Sequence, residues 1–190
     1  MVFLSVEEAQ AMLLSIKGSQ YYTAVVLALF YGLRRSEVLG LKWSAIDFDR
    51  NTLAVRHTVV KNVSISREDV TKTETSFRTF ELLPEIRDHL LSLPRLNEYI
   101  CTSPSGEPLR PDSLTRGFQR CLAKSGLPKM RFHDLRHSTA SILFDMGWQL
   151  EDVKDWLGHA DIETTSNIYL HYSADRKKLL ARDLIGKFKI

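Results

Sequence analysis

Apolar residues recur at helical spacing through the first 41 residues of the chain. A capping-box pattern at Ser5–Glu8 predicts that the first helix begins near Val6. Residues 19–31 are apolar on nearly every side, which predicts a buried core helix that ends at Gly32. A third, short helix is expected over residues 36–41, so the beginning of the chain is predicted to be helical.

The pattern changes from helical to alternating in the middle of the chain. Residues 53–60 alternate between apolar and polar side chains, and residues 76–83 do so again through Phe77, Thr79 and Glu81. Alternation with a period of two is typical of half-buried strands. Because the segment between these two runs is polar and irregular, we predict a small antiparallel sheet of two or three strands with a long connection.

The second half of the chain returns to helical spacing, with prolines and glycines at the expected helix ends. We predict helices there over residues 84–93, 111–125, 133–146, 150–157, 164–169 and 174–188. The predicted fold class is therefore α+β and mainly α-helical, with a small antiparallel β-sheet.

The composition of the chain indicates its cellular compartment and the kinds of partner it could bind, but it does not identify a function. The chain has 190 residues, 44% of them hydrophobic, which fits one globular domain. Its formal net charge of +3 tolerates a nucleic-acid partner without demanding one. Cys101 and Cys121 form neither a disulfide framework nor a metal-ligand pair, so we expect a reducing cytoplasm. No run has the length and apolarity of a signal peptide or membrane span, and no membrane contact is expected.

Four segments place polar groups in apolar surroundings and are therefore candidates for chemistry. They are Gly32–Glu37 with its arginine pair, Thr71–Thr73 around Lys72, His133–His137, and Leu157–His159 followed by Tyr169 and Tyr172. Each segment also has an ordinary structural interpretation. Arginines favour helix C-termini, loop lysines are usually solvated, and a single histidine or tyrosine more often lies on the surface or in the core.

His133, Arg136 and His137 fall on one face of a predicted helix, at positions i, i+3 and i+4. One alternative interpretation is that Asp134 caps the helix and His133 is a packed residue. Another is a zinc site, because histidines at i and i+4 have the metalloprotease spacing. That motif needs a glutamate beside the first histidine, where this chain has Asp134, and Arg136 would repel a divalent cation.

Read in order, these segments resemble the tyrosine recombinase (phage integrase) family. Its pattern is an arginine in a G-x-R-x-S-E segment, a hairpin lysine, H-x-x-R, L-G-H and a terminal tyrosine. The chain shows all of these parts in order, at Gly32–Glu37, Lys72, His133–Arg136, Leu157–His159 and Tyr169. The resemblance extends from Phe3 to Ile190 and is strongest to integrases of phages and integrative elements.

The resemblance implies that two arginines hold the scissile phosphate of DNA. Arg34 and Arg136 would grip the non-bridging oxygens with forked, charge-assisted hydrogen bonds. Arg34 fits the third position of the family's segment better than Arg35 does. Glu37 is expected to orient an arginine, and His137 is expected behind the residues that contact the phosphate.

The resemblance also implies the residues that make and break bonds. Tyr169 would attack phosphorus, with Tyr172 as a rival nucleophile, and His133 would act as acid and base. Lys72 would protonate the leaving 5′-oxygen, and His159 would donate a hydrogen bond to the phosphate. Because the arginines supply the positive charge that metal ions supply in nucleases, neither a cofactor nor a metal is implied.

The function implied is site-specific integration or excision, with double-stranded DNA as the partner and a homotetramer on synapsed DNA. Residues 1–190 would be the catalytic domain, without the family's N-terminal DNA-binding domain, so that autonomous binding would be weak and salt-sensitive. No small-molecule substrate is expected. A type IB topoisomerase, which shares the arginines, lysine, histidine and tyrosine, stays open as an alternative, as does a DNA-binding relic without activity.

Overall fold

The computed structural model describes residues 3–55 and 77–158 of the chain. The predicted site residues Lys72, His159, Tyr169 and Tyr172 lie outside the described residues, as do the two helices predicted nearest to the end of the chain.

Three helices precede the sheet: α1 (Val6–Ile16), α2 (Tyr22–Tyr31) and α3 (Arg35–Gly40). The predicted capping box is confirmed, since Ser5 Oγ accepts a hydrogen bond from Glu8 N at 3.2 Å and Glu8 Oε2 accepts one from Ser5 N at 2.8 Å. The second helix begins later than predicted, because Ser19 O accepts from Tyr22 N at 3.0 Å and closes a turn there. Gly32 ends α2 in the left-handed region, at φ 61°.

A short 3₁₀ turn (Trp43–Ala45) leads into a sheet of three antiparallel strands, in the order β1 (Ile46–Asp47), β2 (Thr52–Val55) and β3 (Arg78–Glu81). The small antiparallel sheet predicted from the alternation is therefore confirmed. Residues 56–60 of the predicted second strand lie outside the described residues.

The inward face of the last strand includes a charged residue. Phe77, Thr79 and Glu81, through which the alternation runs, are exposed. Arg78 and Phe80 are the buried residues, so this strand turns an arginine towards the core. The alternation identified the strand correctly, but it did not reveal that a charged residue occupies the buried face.

Four helices follow the sheet: α4 (Pro84–Leu91), α5 (Pro111–Ser125), α6 (Asp134–Asp145) and α7 (Leu150–Leu157). The predicted bounds of α5 and α7 are confirmed. The fourth helix ends two residues early in a tightened last turn, where Ser92 N donates to both Asp88 O and His89 O. Among the described helices, none combines the length and the apolar composition that a membrane crossing needs.

The second helix is the centre of the core, with seven of its ten residues buried. It packs along α6, where Thr139 Oγ1 donates to Leu29 O at 2.6 Å. A Cβ atom on Gly32 would collide with Leu157 Cδ2, so a larger residue would have to displace the Leu157 side chain where the ends of α2 and α7 meet. The ends of α2 and α7 therefore meet beside α6, where several candidate residues lie.

Candidate active site

Arg34 is positioned by the loop between α2 and α3 and by a carboxylate one turn further along the chain. Its backbone N–H donates to Glu37 Oε2 at 2.8 Å, and its Nη1 donates to Glu37 Oε1 at 2.9 Å. The Glu37 side chain is only 2% exposed, whereas that of Arg34 keeps 24% of its surface exposed. Arg34 is thus tied at both its backbone and its guanidinium, yet it is reachable from solvent.

Glu37 lies in the field of three arginines. Arg78 Nη2 donates to Glu37 Oε2 at 2.9 Å, and Arg34 and Arg136 also stabilise the negative charge. Burial opposes that charge and is the largest single influence, but the arginines together with the Arg34 N–H outweigh it and lower the pKa of Glu37. Glu37 is therefore ionised at neutral pH, and the cluster keeps an excess of positive charge that suits a phosphate.

Arg136 is held inside the protein by the carbonyl ends of two helices. Its Nη1 donates to Gly32 O at 2.5 Å, and its Nη2 donates to Leu157 O. Carbonyls at helix C-termini carry partial negative charge, so they compensate a buried cation. Arg136 is only 2% exposed. Its guanidinium is therefore fixed relative to the loop that carries Arg34.

His133 and His137 meet at the start of α6, with their rings edge to face and the centroids 4.8 Å apart. His133 occupies the cap position and is exposed, so the interpretation of His133 as a packed residue is wrong. His137 is buried behind it. Within residues 3–55 and 77–158, no three His, Cys, Asp or Glu side chains are grouped so that they could hold a metal ion.

Asp134 acts on the segment before α6 rather than on the helix that follows. Its carboxylate accepts from Arg131 N at 2.7 Å and from Arg131 Nη2 at 2.8 Å. Burial opposes the Asp134 charge, but these bonds to Arg131 outweigh it and lower the pKa of Asp134. This contact fixes the turn immediately before α6 and thereby the place of His133 at the helix start.

A cleft of about 460 Å³ brings several of these side chains to one surface. It lies where α3, the first turn of α5 and the start of α6 come together, and its lining includes Arg34, Arg35, Arg131 and His133. Arg35 Nη1 donates to Thr115 Oγ1 at 2.9 Å, which directs Arg35 towards α5. The cleft thus combines guanidinium forks with an exposed imidazole, which are groups that can bind a phosphate and exchange a proton with its substituents.

Two residues of this region, Arg78 and Arg131, were not among the sequence candidates. Arg78 lies within a run of alternating polarity, but the alternation does not indicate that a charged residue faces inward. Arg131 precedes Asp134 by three residues, a spacing that allows an ion pair but does not by itself indicate one.

Comparison with known proteins places the chain in a family. Residues 3–176 match the model of the phage integrase family, and the chain belongs to that family. The resemblance found in the sequence pattern is thereby confirmed.

Relatives and solved structures agree with this assignment. The chain is 31% identical over 198 residues to a XerC-like tyrosine recombinase of Caldanaerobacter subterraneus subsp. tengcongensis, covering 90% of this chain and 50% of the relative. The integrase of transposon Tn1549, solved with transposon right-end DNA, superposes with a TM-score of 0.77 at 23% identity, over 95% of this chain and 65% of that one. A lambda integrase dimer bound to a core site gives a TM-score of 0.61 at 23% identity, over 87% and 47%.

These structural similarities confirm the predicted fold. They also show how much of its relatives the chain represents, since it spans about half the length of the XerC-like recombinase.

The ion cluster around Glu37 leads to a prediction about stability. Glu37→Gln is expected to lower the free energy of unfolding at pH 7 by about 3–5 kcal/mol, because the buried arginine cluster loses its shared carboxylate. Folding lowers the pKa of Glu37, so its contribution is fully present above the ordinary glutamate value of about 4.3 and is lost as the pH falls through the lower folded value. Urea unfolding at a series of pH values measures this.

The expected signature is a difference between wild type and Glu37→Gln that is constant near neutral pH and shrinks below about pH 4.3. Glu85→Gln, at an exposed carboxylate in the first turn of α4, is the matched control and is expected to cost less than about 1 kcal/mol. A Glu37→Gln penalty that is the same at pH 7 and well below pH 4 would contradict the proposed ion cluster.

Proposed function

We propose that this chain is the catalytic domain of a tyrosine recombinase, which cuts and rejoins double-stranded DNA at specific sites during integration or excision of a phage or integrative element. One observation carries the proposal: Glu37 fixes Arg34 beside the cationic cleft, and two helix-end carbonyls fix Arg136 close to the same carboxylate. Rigid guanidiniums at one place are the groups that a phosphodiester transition state needs. Membership of the phage integrase family supports the same reaction.

In the proposed first step, the phenolic oxygen of Tyr169 attacks the scissile phosphorus, and the bond from phosphorus to the 5′-oxygen breaks. His133 accepts the phenol proton, and Lys72 gives a proton to the leaving 5′-oxygen. The products are a 3′-phosphotyrosine and a free 5′-hydroxyl. When a 5′-hydroxyl of another strand attacks this phosphotyrosine, it gives its proton to Lys72, and Tyr169 leaves and takes its proton back from His133, so the phosphodiester bond energy is conserved.

The arginines would act on charge rather than on protons. Arg34 and Arg136 would hold the two non-bridging oxygens, where each preorganised donor contributes about 3–4 kcal/mol to the transition state. His159 would add a hydrogen bond to the same phosphate. Glu37 would orient Arg34, and His137 would support His133 from behind. Because guanidiniums supply the positive charge, the proposed reaction uses neither a metal ion nor another cofactor.

The proposed assembly follows from the number of nucleophiles. Exchange between two duplexes cuts four strands, and each copy of the chain offers one Tyr169, so we propose a homotetramer on two synapsed DNA sites. The solved lambda integrase dimer on a core site supports assembly on DNA within this family. We further propose that the reaction takes place in the cytoplasm of a prokaryotic host, in association with the nucleoid.

A covalent-capture experiment tests the proposed reaction. The 190-residue chain is incubated at low salt with a pool of nicked duplexes that carry random sequence on both sides of the nick. After cleavage near the nick the short strand diffuses away and takes the 5′-hydroxyl with it, so that rejoining is prevented. We expect an adduct that survives denaturation and forms equally well in EDTA. No adduct, or one that requires a divalent metal, would refute the proposal.

The same DNA separates recombination from topoisomerase activity. Sequencing of the captured strands defines a site, which is then placed twice in one plasmid. A recombinase is expected to exchange the two copies, whereas a type IB topoisomerase would relax the supercoils of a plasmid without exchanging strands.

A further inference from the structure

Arg78 is a buried arginine of the site, and no sequence motif predicts a role for it. It is 9% exposed and lies on β3, and its Nη2 donates to Glu37 Oε2 at 2.9 Å. A buried guanidinium without a compensating anion is costly, so Arg78 and Glu37 stabilise each other. Yet Glu37 is also the carboxylate that ties Arg34 at two points. Arg78 is thus connected to Arg34, which we propose binds the phosphate, through the side chain of Glu37.

We propose that Arg78 is a positioning residue: it locks the carboxylate of Glu37 and thereby fixes the guanidinium of Arg34 for the scissile phosphate. This inference rests on the proposed function. Arg78 itself does not touch the substrate in this scheme, and it is distinct from the residues of the family pattern found in the chain.

The geometry of the carboxylate gives the physical reason. The terminal torsion of a glutamate is soft, so a carboxylate with one partner rotates over a broad range. Here Oε1 accepts from Arg34 Nη1, while Oε2 accepts from both Arg34 N and Arg78 Nη2. Arg34 alone engages both oxygens, so without Arg78 the carboxylate and Arg34 would move together, whereas the Arg78 donor ties the carboxylate to β3. The Glu37 oxygen that accepts from Arg34 Nη1 is therefore held in one orientation.

Arg78 is itself confined on its other sides. A Cβ atom on Gly158 would collide with the Arg78 guanidinium, so the absence of a side chain at this position makes room for it. The ring centroid of Phe80 lies 5.7 Å from Arg78 Cζ. Arg78 is therefore confined between β3 and the end of α7, and its Nη2 reaches Glu37 from an element other than the one that carries Arg34.

The first test compares rates of adduct formation on the DNA captured from the nicked pool. Arg78→Gln is expected to slow cleavage by about 100-fold, the size of effect that a displacement of about 1 Å produces in a catalytic group. Arg78→Lys, which keeps the charge but not the fork, is expected to recover part of that loss. Arg87→Gln, at a half-buried arginine of α4, is the matched control and is expected to stay within about twofold of wild type.

A double variant separates positioning from independent effects. If Arg78 acts through Arg34, the combination Arg34→Ala with Arg78→Gln is expected to cleave no more slowly than Arg34→Ala alone. Losses that multiply would overturn the inference. So would an Arg78→Gln rate equal to that of wild type, even though the wild-type adduct itself would still support the proposed function.

A spectroscopic measurement tests the inference without any cleavage. In ¹⁵N-labelled protein, a guanidinium that is held rotates slowly about its Nε–Cζ bond and gives separate Nη signals, whereas a released one gives averaged signals. The Arg34 signals are expected to be separate in wild type and in Arg87→Gln, and averaged in Arg78→Gln. If Arg78→Gln does not fold, Arg78→Lys takes its place, with partial averaging expected. Unchanged Arg34 signals would overturn the inference whatever the wild-type chain does to DNA.

Discussion

Replacement of Tyr169 by phenylalanine is expected to abolish the covalent DNA adduct completely. Phenylalanine keeps the ring and removes only the oxygen that would form the bond to phosphorus, so Tyr169 can no longer act as the nucleophile. DNA binding is expected to change little, because it depends on phosphate contacts with basic side chains. Denaturing gels of the captured DNA measure the adduct, and filter binding of the same duplex at low salt measures retained affinity.

The control for this experiment lies three residues further along the chain. Tyr172→Phe is expected to leave the adduct in place, because the spacing from His159 and the following His171 favour Tyr169 as the nucleophile. An adduct that survives Tyr169→Phe but disappears in Tyr172→Phe would move the nucleophile to Tyr172. Survival in both single variants and in the double variant would eliminate a tyrosine nucleophile from this part of the chain.

Local signals in the sequence were sufficient to predict most of the helices. A capping box, a proline in the first turn or a glycine after the last residue acts on the backbone within one turn, and such a signal can be read without knowing the fold. For this reason the bounds of α5, which begins at Pro111 and ends before Gly126, agree with the prediction. The start of α2 was missed because Ser19 and Tyr22 close a turn that carries no distinctive residue pattern.

Two of the predicted site residues lie together as the motif order suggests, but the contacts that hold the site were not predictable. The motif order selected Arg34 and His133, which line one cleft in the structure. The partners that hold the arginines come from elsewhere: Gly32 lies 104 positions from Arg136, and Arg78 lies 41 positions from Glu37. Such pairings depend on how the whole chain packs. The identity of a polar residue within a strand does not show whether its side chain faces the core or the solvent.

The contacts of Arg136 lead to the second large effect. Arg136→Lys is expected to slow cleavage by about 10²–10³-fold, as does the loss of one preorganised donor to a transition-state oxygen. The charge is kept, but an ammonium is a single point and lacks the planar fork that links Gly32 O and Leu157 O. Since one of these helix-end carbonyls then loses its charged donor, the free energy of unfolding is also expected to fall by about 1–3 kcal/mol.

Two measurements keep the catalytic effect of Arg136→Lys apart from its effect on stability. Single-turnover cleavage is measured well below the unfolding midpoint of the variant, where its folded fraction is complete, and affinity for the same nicked duplex is measured in parallel. Arg87→Lys, on α4, is the matched control, with a rate and a stability close to wild type. A rate for Arg136→Lys within about threefold of wild type, together with the lower stability, would mean that Arg136 joins the ends of α2 and α7 without serving the phosphate. A slow rate with unchanged affinity would instead show that Arg136 stabilises the transition state. The guanidinium would then contribute to the reaction and not to binding of the uncleaved DNA.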